Sequence, residues 1–101
     1  LGTAIKTIKA YYEAVKKIEV DFYQKHDLNI VFEEDAVDFL IEQFIKHYIT
    51  SEDIMTKIYN DFYDGLNLIR EKSETNRFFI PRTALLDHEA YLENLIRKKI
   101  S

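Results

Sequence analysis

Leu28-Asn29-Ile30-Val31-Phe32-Glu33-Glu34-Asp35-Ala36-Val37-Asp38-Phe39-Leu40 joins two structural periods in one short stretch. Leu28 to Phe32 alternates and is β-branched at two positions, the pattern of a short strand. At Glu33-Glu34-Asp35 the pattern changes. Three carboxylates stand where a helix begins, which suits the positive end of the helix dipole. Val37, Leu40, Ile41, Phe44, Ile45 and Tyr48 then recur at steps of three and four, which predicts a helix over 34–47.

Upstream of this junction the steps are the same. Ile5, Ile8, Tyr12, Val15, Ile18 and Phe22 form one face of an amphipathic helix predicted from Thr3 to His26. Lys9–Glu13 and Glu13–Lys17 are spaced as ion pairs on its wet side. Downstream, Thr50-Ser51-Glu52-Asp53 is a helix start. Either hydroxyl can cap, and Thr50 with Asp53 has the spacing of a reciprocal capping pair. Ile54, Ile58, Phe62, Leu66 and Ile69 carry the third helix, predicted over 50–69. Gly65 interrupts it at a cost of about 1 kcal/mol against alanine, and marks either a break or a close approach by another element. Lys72 to Asn76 reads as a loop. Arg77 to Ile80 reads as a second strand that Pro81 stops, at an edge or a strand end. Ala84-Leu85-Leu86 reads as a short extended piece. Asp87 caps a last helix that runs to Ile100 through Ala90, Tyr91, Leu92, Leu95 and Ile96.

The expected class is therefore α+β and helix-dominated, with about four helices and two or three short strands. The 101 residues suit a single domain, 1–101. The chain starts at Leu1 rather than Met, so a processed chain or a fragment of a larger one is expected. A composition 47% hydrophobic and 14% aromatic excludes disorder for most of the chain. Among the aromatics, Phe22, Phe32, Phe39 or Phe44, Phe62 and Phe79 are expected in the core. Tyr11, Tyr23, Tyr59 and Tyr63 flank the stripes and are expected to be partly exposed, as at a protein interface.

Composition also removes chemistries. With no cysteine there are no disulfides, thiolate nucleophiles or cysteine zinc sites. Two glycines cannot build a phosphate-cradling loop, and no Walker A motif is present. A net charge of −4 with scattered basic residues argues against a nucleic-acid partner. Arg97-Lys98-Lys99 lies at a predicted helix end, where cations offset the dipole. No apolar run approaches the roughly 20 residues of a membrane span, so no membrane partner is expected. The absence of cysteine fits a reducing compartment, and the cytoplasm is the expected location. His26, His47 and His88 fall near helix ends, far apart. His88-Glu89 opens like a metalloprotease motif, but Leu92 stands where the second histidine belongs. Glu33, Glu34, Asp35 and Asp38 lack the glycine turn of a calcium loop and read as a solvated helix start. No catalytic residue, metal ligand or bound cofactor is expected.

The order of elements, with Leu28 to Leu40 at its centre, resembles the C-terminal small (lid) subdomain of AAA+ ATPases, of the Clp/ClpX type or Lon-like. The resemblance covers about residues 8–80. In that family a helix leads to a short strand ending in an aromatic, an acidic turn opens the next helix, and a further helix and strand follow. It implies a non-catalytic lid that packs on the large P-loop subdomain of the same chain and passes nucleotide-driven motion to neighbouring subunits. ATP and magnesium would then be held by the parent chain, which would form a homo-oligomer. The family often places a sensor-2 arginine at the start of its third helix. Glu52 occupies that position here, and no arginine occurs between Leu1 and Ile69. The alternative reading is a stand-alone module for protein–protein interaction or self-association.

Overall fold

The computed structural model describes the backbone of residues 2–100 and the side chains of 9–100. Leu1 and the side chains of Ile5 and Ile8 lie outside the described residues. The elements are α1 (Gly2–His26), β1 (Ile30–Phe32), α2 (Glu34–His47), α3 (Ser51–Ser73), β2 (Phe78–Ile80), α4 (Arg82–Leu86) and α5 (His88–Ile100). The domain is helix-dominated α+β, with five helices and one two-stranded sheet among the described residues.

The core follows from the stripes. Val15, Ile18 and Phe22 of α1 are buried, as are Ile54, Ile58, Phe62, Leu66 and Ile69 of α3. Ala36, Val37, Leu40 and Phe44 are the buried face of α2. Leu28, Ile30, Phe32, Phe78 and Ile80 bring the sheet into the same cluster. Full burial of side chains of this size contributes about 1.5–3 kcal/mol each. No polar side chain is buried among the described residues.

β1 and β2 run parallel, with Ile30 opposite Phe78 and Phe32 opposite Ile80. Parallel neighbours need a long crossover, here supplied by α2 and α3. The Phe78 N–H donates to the Asn29 carbonyl at 2.9 Å and the Glu33 N–H to the Ile80 carbonyl at 2.9 Å, closing the two ends of the ladder. Outer edges of sheets tend to recruit other strands. Here side chains occupy part of both edges. Glu19 Oε2 accepts the Phe32 N–H at 2.7 Å, and the Tyr91 hydroxyl donates to the Phe79 carbonyl at 2.6 Å.

The helix ends are specific. Thr50 Oγ1 accepts the Asp53 N–H at 3.1 Å and Asp53 Oδ2 accepts the Thr50 N–H at 3.2 Å, so Thr50 is the cap and the box is reciprocal. Asp87 caps α5 by accepting the Ala90 N–H at 3.2 Å. Asp27, Tyr48 and Glu74 take left-handed backbone at φ 56°, 52° and 59°, just beyond the ends of α1, α2 and α3. Each stands where a glycine is usual.

Several expectations are corrected. Ala84-Leu85-Leu86 is not extended but lies in the short helix α4, which buries Ala84 and Leu85. Its first turn is held by Asp35, whose Oδ1 accepts the Arg82 N–H at 3.0 Å. That bond also gives one carboxylate of the acidic turn a structural partner. α3 continues to Ser73, past Ile69. Phe79 is half exposed, and Phe78 is the core residue, because the strand phase that buries Ile80 also buries its second neighbour. Ile45 and Tyr48 leave the apolar face. Ile45 is one helix step from buried Phe44, and Tyr48 lies beyond the helix end. Among the described residues of α1, Lys16 pairs with Glu19 at 3.6 Å, and neither Lys9–Glu13 nor Glu13–Lys17 is paired. Gly65 does not break α3. It admits Leu92 of α5, whose methyl carbons lie 2.8 and 2.9 Å from where a Cβ would stand.

Candidate functional site

The first turn of α3 is the place the resemblance marks for phosphate contact. The capping box positions it, and it uses the N–H groups of Thr50 and Asp53 internally. Glu52 and Asp53 are both exposed there. Glu52 makes no ion pair among the described residues. Lys57, one turn further on, pairs with Asp61 at 2.7 Å. Two carboxylates offset the positive end of the helix and repel an anion. These residues do not fit a nucleotide phosphate.

The histidines are dispersed to separate surroundings. His47 is the exposed last residue of α2. His88 opens α5, with Nδ1 3.6 Å from Asp61 Oδ2. His26 ends α1 against three rings. Its centroid is 4.8 Å from Phe22, 4.8 Å from Tyr59 and 5.4 Å from Tyr63, and Tyr59 stacks on Tyr63 at 4.8 Å. Burial, and then the neighbouring Lys25 charge, hold His26 below its ordinary value. Arg70 braces the same corner, donating to the Asp27 carbonyl at 2.6 Å and to its carboxylate at 3.2 Å. Among the described residues, no group of three or more His, Asp or Glu is gathered for a metal ion.

The flanking tyrosines are placed as expected. Tyr23 and Tyr59 are exposed, and Tyr11 and Tyr63 are half-buried. Tyr11 stacks on Phe44 at 5.4 Å. Tyr91 is different. Burial, and then the Glu33 charge, push its hydroxyl up to about 12, so it remains a donor to Phe79.

An apolar surface lies around α4. A groove of about 360 Å³ between α2, α3 and α4 is lined by Phe39, Leu40, Ile49, Ile54 and Leu85. A second, of about 520 Å³ between α4 and α5, is mixed, lined by Ala90, Tyr91 and Leu95 together with the polar Asp87, Asn94 and Lys98. Leu86, 61% exposed, lines both and forms the ridge between them. Sequence reasoning missed this surface. Once Ala84 and Leu85 take the buried face of this short helix, Leu86, about 100° further round, is left outside.

No family model, curated protein or solved structure matches the chain.

Proposed function

We propose that the chain is a non-catalytic lid subdomain of an AAA+ ATPase of the Clp/ClpX or Lon-like type. It would pack on the P-loop subdomain of its own chain and carry nucleotide-driven motion to the next subunit. One observation supports this reading above the others. β1 passes through an acidic turn directly into α2 and returns, after α3, as a parallel partner in β2. That arrangement places the resembling segments in a single packed unit. ATP and magnesium belong to the parent chain in this reading. Glu52 and Asp53 do not suit phosphate, so no step of nucleotide chemistry is assigned to residues of this chain.

Determining the coding sequence upstream of Leu1 tests the proposal. A Walker A loop followed by a Walker B acidic pair is expected, ending shortly before α1. An upstream region without a P-loop would sink the lid reading, as would robust ATP hydrolysis by residues 1–101 alone.

A second reading, a module for protein–protein interaction or self-association, is favoured by the apolar surface over Leu86. Analytical ultracentrifugation discriminates it in part, since a strict monomer at high concentration counts against self-association.

A further inference from the structure

We draw no further inference here: the strongest candidate, the apolar surface that runs over Leu86 between the α2–α3–α4 groove and the α4–α5 groove, is an unpartnered face, and nothing in the structure shows what covers it.

Discussion

Replacing Gly65 by alanine sets two effects of opposite sign against each other. Alanine in a helix interior is favoured over glycine by about 1 kcal/mol. Against this, the new Cβ would meet the methyls of Leu92 at 2.8 and 2.9 Å and its Cγ at 3.3 Å. Overpacking of this kind costs about 1–3 kcal/mol. The crowded atoms are the far end of a side chain, on a helix with no fully buried residue. Leu92 can therefore give way in part, and the cost falls near the middle of that range, about 2 kcal/mol. Gly65→Ala is expected to destabilise by about 1 kcal/mol net, the difference of the two terms. In a Leu92→Ala background the crowding is gone, and the same substitution is expected to stabilise by about 1 kcal/mol. The coupling between the positions is then about 2 kcal/mol. Urea unfolding of the four proteins, followed by circular dichroism, measures it. For a domain of this size, each 1 kcal/mol corresponds to about 4–8 °C in Tm. Gly65→Ala stabilising equally in both backgrounds would refute the reasoning, because Leu92 would then not be what the glycine accommodates.

Phe78→Ala is expected to cost about 3–5 kcal/mol and Phe79→Ala less than about 1, so equal losses in chemical denaturation would overturn the strand phase. Tyr48→Gly should raise stability by roughly 0.5–1 kcal/mol by removing a side chain from left-handed backbone, and a lower Tm would contradict this. Thr50→Ala should cost about 1 kcal/mol through the lost cap, whereas Glu33→Ala, at an N-cap with no side-chain hydrogen bond, should change stability by only a few tenths. His26 has its folded value depressed below 6.5, so the unfolded chain takes up the proton first as pH falls. Its contribution to stability is whole above 6.5 and declines below it. The drop in Tm between about pH 7.5 and about pH 5 should therefore be smaller in His26→Phe than in wild type, and an equal drop would count against the assignment.

The long helices were legible because several turns repeat the same apolar step, as Ile54, Ile58, Phe62, Leu66 and Ile69 do. The start of α3 was legible because a capping box is local chemistry between Thr50 and Asp53. Both strands were located, but nothing in either says which direction the other runs, since the pairing is set by how α2 and α3 pack. The phase of Arg77-Phe78-Phe79-Ile80 was misjudged because two adjacent phenylalanines suit either face, and Ile80 decides between them. α4 is a helix too short to show a period, and its first turn depends on Asp35, far away in sequence. The surface over Leu86 was missed with it. The reverse holds at Glu52, where two adjacent carboxylates, Glu52 and Asp53, were already visible in the sequence and both stand exposed in the first turn of α3.

The long crossover between β1 and β2 also has a bearing on synthesis. Asn29 and Asn76, which hydrogen-bond at the start of the paired strands, are 47 positions apart. At translation rates of about 5–20 residues per second, β1 waits roughly 2–10 s on the ribosome before its partner is made. Throughout that interval the Asn29 carbonyl lacks its donor, the Phe78 N–H, and the Glu33 N–H lacks its acceptor, the Ile80 carbonyl. Leu28, Ile30 and Phe32 meanwhile lack Phe78 and Ile80 as packing partners. A nascent chain that ends before Phe78 contains the sequences of α1, α2 and α3 but leaves β1 without its partner strand.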